Sequence, residues 1–297
     1  MKKGFEEYFD KTLRVLEEAG FTANRVFYPQ NRRSIDVVAY NKSIGFKLLV
    51  KITDDSENIT HEEIGDLKKA SKGLNAKPVV VANRVKNEKL DDDAVVFKKG
   101  IGVVSVELLR KYFKFGEKPV VAKIRGGYIA RINSEALREE RIKRGLSLGN
   151  LAELIGVSRK AVYDYEHGKI NVSLITAIRL AEVLGENVFD GFDPFHEAIL
   201  DDIQPDNPIN RLEQEIYNIC TKHNLVFYRL SETAVDYVLH GEGEAYSITI
   251  INESMNSGED YEVKLNEAER ITRVLEVKNI VVEKINDIVE LKRVLRK

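Results

Sequence analysis

The 297-residue chain contains one cysteine, Cys220, no tryptophan, two methionines and three glutamines. A single cysteine excludes an internal disulfide framework and a zinc site built from several thiolates. The five histidines are scattered without metal-ligand spacing, so neither a metal site nor a cofactor is expected. No run approaches eighteen consecutive apolar residues, which argues against a membrane-spanning helix. The acidic, amphipathic start MKKGFEEYFD is unlike a signal peptide. These absences predict a cytoplasmic chain with no membrane partner. The net charge of −2 is not that of a protein that coats nucleic acid indiscriminately. Charge of both signs is abundant: 32% of residues are charged. Together with the scarcity of Gln, Met and Trp, this leans toward a thermophile composition. The length has room for two or three domains.

The segment Ser147–Gly168, SLGNLAELIGVSRKAVYDYEHG, carries the strongest functional signal. Its pattern predicts two short helices crossing at a tight turn. Ala152 is small where the second helix passes above it. Gly156 ends the first helix in a left-handed conformation that costs other residues about 1–2 kcal/mol. Ser158 then caps the second helix, and Val162 drops from it into the core. Upstream, Ser134–Lys143 predicts a helix capped by Ser134, with Leu137, Arg141 and Ile142 at helical spacing. Downstream, Leu174–Leu184 places Leu174, Ala177, Ile178, Ala181 and Leu184 on one face.

These motifs resemble the five-helix DNA-binding domain of the Cro-like phage-repressor family, over residues 131–192. The resemblance implies that Arg159, Lys160 and Asp164 face base edges in the major groove. It places Ser147, His167 and Lys169 against phosphates. It also pairs Arg141 with Glu166, a buried ion pair holding two helices in register. Ala152, Gly156 and Val162 complete the structural set. One departure stands out: Leu148 occupies a position where the family usually has Gln. Residues 131–190 hold nine Lys or Arg and nine Asp or Glu. Affinity for duplex DNA must therefore come from local placement rather than bulk charge.

Residues 1–125 read as mixed α/β. A helix at 5–19 is followed by strands at 23–28, 34–40 and 46–52. A helix capped by Thr60 follows, then the apolar strand Pro78–Ala82, a strand Ile101–Val104 and a closing helix Val106–Phe113. Gly126-Gly127 marks the link to the helical domain. The order of elements, with Asp36 in an apolar strand and Lys51 on the next, resembles the PD-(D/E)xK nuclease fold. In active members a carboxylate stands two residues before the lysine and helps hold a divalent metal. Here that position is Leu49, and Asp36 with Glu6 or Glu7 is a poor remaining ligand set. The expectation is an inactive domain with no catalytic residue and no metal, serving as scaffold, dimerisation surface or sensor, with Asp36 and Lys51 inherited or structural.

Residues 211–297 form a shorter α/β pattern that reads as a degenerate repeat of the first, with Asp236 placed as Asp36 is and no lysine in the slot of Lys51. The alternative is a coincidence of two ordinary α/β patterns. Glu242 is a hairpin-turn candidate, and 193–210, with three prolines, reads as a linker. The fold class expected is a central helix-turn-helix domain between two mixed α/β, restriction-endonuclease-like domains. The whole layout resembles a group of archaeal helix-turn-helix transcriptional regulators. This implies a sequence-specific regulator of double-stranded DNA, acting as a homodimer on half-sites about 34 Å apart, with the transcription machinery as a further partner. Two alternatives remain: a structure-specific endonuclease, and an antitoxin-like adaptor without DNA affinity.

Overall fold

The computed structural model describes residues 2–195, 200, 203–241, 243–251, 258–284, 287, 288, 291 and 293. Helix α1 (Lys2–Glu18) buries Phe9 and Leu16. Strands β1 (Thr22–Arg25), β2 (Val37–Asn41) and β3 (Phe46–Asp55) then form an antiparallel meander. Helix α2 (His61–Gly73) crosses over to β4 (Lys77–Val85), which runs parallel to β3. Thr60 and Glu63 cap α2 reciprocally. Strands β3 and β4 carry the apolar runs Leu48–Val50 and Pro78–Ala82, where both sheet faces are covered. Leu49, Val80 and Ala82 enter one core, and Leu48, Val50, Val79 and Val81 enter the other.

The sheet extends beyond the strands legible in the sequence. β5 (Glu88–Lys89) folds back on β4. β6 (Ala94–Lys98) and β7 (Ile101–Val104) form a hairpin with β7 parallel to β4. After α3 (Val106–Arg110) and a π turn at Lys111–Phe115, β8 (Val121–Ile124) pairs parallel with β6 and antiparallel with β9 (Gly127–Ile132). The Gly126-Gly127 link is therefore part of a hairpin turn rather than a tether. β9 closes the α/β sheet and opens the helical domain, so backbone hydrogen bonds mount one on the other.

The helical domain contains α4 (Ser134–Lys143), α5 (Leu148–Ile155), α6 (Arg159–Glu166), β10 (Val172–Ser173) and α7 (Leu174–Leu184). A 3₁₀ turn at Glu186–Val188 and β11 (Phe189–Asp190) complete it. Among the described residues, four α-helices and this turn stand where five helices were expected. β10 and β11 both pair with β9, a strand contribution the sequence reading did not include. Helix α7 buries Ala177, Leu180 and Leu184, while Leu174 and Ile178, expected in the core, are exposed. Ile142 of α4 is exposed as well.

The segment expected to be a linker is packed. Phe192 and Phe195 are buried in the first lobe, where Phe195 meets Phe46, Tyr112 and Phe113 edge-on or tilted. A Cβ on Gly102 would overlap the Pro194 carbonyl, so glycine there permits the close approach. Further along, Lys72 Nζ donates to the Leu200 and Ile203 carbonyls at 3.1 and 3.0 Å, and Lys69 pairs with Asp206 at 2.8 Å.

The C-terminal lobe comprises α8 (Arg211–Lys222), β12 (Val226–Arg229), β13 (Tyr237–His240), β14 (Ala245–Ile250), α9 (Gly258–Val274) and β15 (Lys278–Val282). Its order β12-β13-β14-β15, with two antiparallel pairings and one parallel, is the order and sense of β1-β2-β3-β4. Glu242, the hairpin-turn candidate, lies outside the described residues. Cys220 is buried on α8, and desolvation pushes its thiol up to about 12, so it is an inert core residue.

The two α/β lobes share helices, each of which also packs on the strands of its own lobe. α2 packs on β12 and β13, and α9 packs on β1 and β2. Asp66 on α2 accepts from the Ser231 and Glu232 amides at 2.7 and 2.6 Å. Reciprocally, Glu267 on α9 accepts from the Phe27 amide at 2.8 Å. Val235, Val238, Ala268 and Ile271 thereby share one core with Leu49, Leu67 and Val80.

Candidate nucleic-acid interface

The helix-turn-helix is built by caps. Ser147 accepts from the Asn150 amide at 3.0 Å, and the Asn150 side chain accepts back from the Ser147 amide. Gly156 ends α5 at φ 72°, in the left-handed region. Ser158 accepts from the Ala161 amide at 3.1 Å and opens α6. Leu151, Ile155 and Val162 are fully buried, with Ala152 and Tyr165 nearly so. Leu148 packs partly buried against this core, so its side chain serves the fold rather than reaching outward.

Arg141 and Glu166 form a two-point pair, Nε–Oε1 2.5 Å and Nη2–Oε2 3.1 Å, with both side chains largely buried. Arg141 Nη1 also donates to the Leu146 carbonyl at 2.6 Å. The Glu166 hydrogen bond raises the Arg141 pKa further above its ordinary value. One side chain thus fixes α4, the turn before α5 and the end of α6. Asn133 is the cap of α4, accepting from the Ala136 amide at 3.0 Å. Ser134, expected in that role, instead donates to the Tyr165 carbonyl at 2.8 Å and ties α4 to α6. Arg179 on α7 donates to the Ile155 carbonyl at 3.0 Å, an anchor for the end of α5 that sequence spacing did not signal.

Arg159 and Lys160 stand exposed on the first turn of α6. Among the described residues neither engages another side chain. Asp164, one turn further on, lies 3.4 Å from Lys169 Nζ. His167 stacks on Tyr163 with ring centroids 3.9 Å apart, and Lys169 lies 5.0 Å from the same ring. Ser147, His167 and Lys169 are exposed. The structure therefore joins Asp164, His167 and Lys169 around Tyr163, a residue the sequence reading did not single out, while Arg159 and Lys160 remain free.

In the first lobe, Lys51 Nζ lies 3.3 Å from Asp36 and 3.0 Å from Glu63, and donates to the Arg33 carbonyl at 2.5 Å. Asp36 also accepts from the Ile52 amide at 2.8 Å and pairs with Arg33 at 3.2 Å. Leu49, two residues before Lys51, is fully buried. Glu6 is held instead by Arg25, whose hydrogen bond lowers the Glu6 pKa. Glu63 comes from the start of α2 and was missed as a neighbour of Lys51. Its only sequence signal is the capping pattern Thr60-x-x-Glu63. Burial pushes its carboxyl up, but the Thr60 amide and Lys51 outweigh that and hold it below the usual range. In the second lobe Thr249 lies on the strand equivalent to β3, and Lys264 on α9 reaches Asp236 and the Ile250 carbonyl, both at 2.9 Å. Among the described residues no three His, Cys, Asp or Glu side chains group as a metal site.

This geometry defines a helix-turn-helix protein carrying a nuclease-like α/β lobe. Residues 137–189 match the Helix-turn-helix family, and residues 5–119 match the PD-(D/E)XK superfamily domain. The chain is 31% identical over 258 residues to a protein of Saccharolobus islandicus named "Putative HTH-type transcriptional regulatory protein", covering 84% of this chain and 80% of that one. A protein of the same description from Thermococcus gammatolerans is 32% identical over 212 residues, 71% of this chain and 66% of its own length. The chain belongs to this archaeal family of HTH-type transcriptional regulatory proteins. Among solved structures, the restriction-modification controller protein of Aeromonas hydrophila is 43% identical over 17% of this chain and 77% of its own, with a TM-score of 0.17. No helix among the described residues is long and apolar enough to cross a membrane.

Proposed function

We propose that the chain is a sequence-specific DNA-binding transcriptional regulator that inserts α6 into the major groove, and that it acts as a dimer. The observation that carries this reading is the contrast on α6. Its inner face is pinned by Val162, Tyr165 and the Arg141–Glu166 pair, while Arg159 and Lys160 are exposed and uncommitted on its first turn. Arg or Lys there is suited to guanine O6 and N7. Lys169, beside Tyr163 and at the loop after α6, is suited to a phosphate, with Ser147 and His167. Asp164 is shared: paired with Lys169 without DNA, it becomes an acceptor for a cytosine amino group once that lysine turns to a phosphate. Dimerisation is supported by the exposed apolar residues Leu174, Ile175 and Ile178 of α7. One such module reads too few base pairs to discriminate alone.

We read the first lobe as non-catalytic, because buried Leu49 cannot supply the strand carboxylate and Lys51 is held by three oxygens of its own lobe. Magnesium-dependent nicking of junction DNA that disappears in Asp36→Ala would overturn that part.

The test of the main reading is selection of bound fragments from random DNA, followed by binding of two variants to the selected site. Arg159→Ala is expected to cost about 1–3 kcal/mol on the cognate site and to relax one base position. Lys169→Ala is expected to weaken all sequences alike and to flatten the salt dependence. Equal losses for both variants across the library would contradict the assignment, and no binding to any duplex would sink it.

A further inference from the structure

The side of the first lobe that faces the β8–β9 hairpin holds a cleft of about 740 Å³. Ile59, Val85 and Val96 give it an apolar floor. Its rim is formed by three two-residue hairpin turns: Lys86-Asn87 between β4 and β5, Lys99-Gly100 between β6 and β7, and Arg125-Gly126 between β8 and β9. Each turn brings one cation to the same opening: Lys86, Lys99 and Arg125. Lys98 and Lys123 also line it, facing the carboxylates Glu57 and Glu88.

Two of the rim cations sit where the backbone resists them. Lys86 has φ 54° and Lys99 has φ 50°. Turns of this type favour Asn or Gly, because a longer L side chain in the left-handed region is strained. Both positions nevertheless carry lysine, the pattern expected where a side chain is kept for binding at a cost in local strain. The cleft lies within the size range of small-molecule sites. Its volume is far larger than a single phosphate needs, and its apolar floor has nothing to offer a bare phosphate chain. A basic rim over an apolar floor fits a ligand with a polyanionic end and a flat ring whose face rests on aliphatic side chains while its polar edges stay toward the open side.

We propose that this cleft binds a nucleoside diphosphate, the diphosphate held by Lys86, Lys99 and Arg125 and the nucleoside over Ile59, Val85 and Val96. The Arg125 turn leads directly into β9, the strand shared with the helix-turn-helix domain. A ligand clasped there acts on the mount of that domain and alters DNA affinity, a consequence that rests on the regulator reading above.

ADP is the probe, titrated calorimetrically into the full chain without DNA, with adenosine as the uncharged comparison. The variant Lys86→Asn/Lys99→Asn/Arg125→Ala removes three charges while placing a residue that tolerates positive φ at both strained positions, so its folding is preserved. The expected result is saturable ADP binding, weakened at least tenfold in the variant, with adenosine much weaker. Absence of ADP binding at millimolar concentration, or equal affinity in the variant, overturns the site. Displacement of ADP by non-cognate duplex DNA that persists when Arg159, Lys160 and Lys169 are all replaced by alanine, so that it cannot be coupling through the helix-turn-helix, assigns the cleft to a DNA backbone instead and also overturns it. The effector role is read separately, as a change of at least threefold in affinity for the selected DNA at saturating ADP; an unchanged affinity overturns that role. Failure of all DNA binding would count against the regulator reading and leave the ADP result standing.

Discussion

Single residues divide between those that hold a surface in place and those that are left free on it. Arg141 satisfies two partners across three segments, and Arg159 satisfies none. The resemblance to the phage-repressor family pointed to both residues, because each occupies a position of that family's helix-turn-helix pattern. Spacing could not show Lys264 taking the place of Lys51, since the lysine moves from a strand to a helix and is restored only in three dimensions. The same holds for Glu213 on α8, which binds Arg229 at 2.5 Å, the Tyr237 hydroxyl at 3.0 Å and the Ile209 amide at 2.7 Å. Burial pushes the Glu213 carboxyl up, but Arg229, the Ile209 amide and Tyr237 together hold it below its ordinary value near 4.5. A depressed folded pKa contributes stability above the unfolded value, and that stability is lost as pH falls through the folded value. Glu213→Gln is therefore expected to lower Tm most above pH ~5, with the gap to the parent closing below pH ~4. A gap that stays constant from pH 7 to 3, measured by thermal melts, would contradict the role given to its charge.

Elements were legible where their pattern was long or capped. α2 was visible through Thr60, and β3 and β4 through continuous apolar runs. β5, β10 and β11 are two residues long and show no period, and β6, β8 and β9 are short segments with Lys98, Lys123 or Arg131 in them, so they carry no clean apolar pattern. The packing of α7 was misjudged because Leu174 and Ile178 are as hydrophobic as the Leu180 that actually enters the core. A close approach between elements of the two α/β lobes is at Gly73, the last residue of α2, where a Cβ would overlap Val238 of β13. Neither backbone can retreat without opening the shared core. Gly73→Val is expected to cost about 1–3 kcal/mol or more through overpacking, seen as a lower denaturant midpoint. A midpoint within error of the parent would show that the two elements are not in firm contact.

At the scale of the molecule, the sharing of α2 and α9 between the two sheets is what neither half of the sequence announces. Each lobe read alone is an ordinary small α/β unit, and it is the shared core and the reciprocal contacts of Asp66 and Glu267 that show the two to be paired inside one chain. The face that a two-lobe dimer would use is therefore already occupied. A dimer of the kind proposed above would have to form elsewhere, and the exposed Leu174, Ile175 and Ile178 of α7 are the surface that reading uses. A chain ending after Gly191 should keep every helix of the reader domain yet expose Leu67 and Ala70 of α2 and Leu74 just beyond it, and it would also lack Phe192 and Phe195. Apolar area of that extent left in water destabilises the lobe and favours association. The expected outcome is a lower Tm and concentration-dependent aggregates in light scattering. The helix-turn-helix, whose core is separate, should retain DNA binding in whatever fraction stays soluble. A truncated chain as stable and as monodisperse as the parent would mean that the two lobes merely touch, and that the reader domain is carried by the first alone.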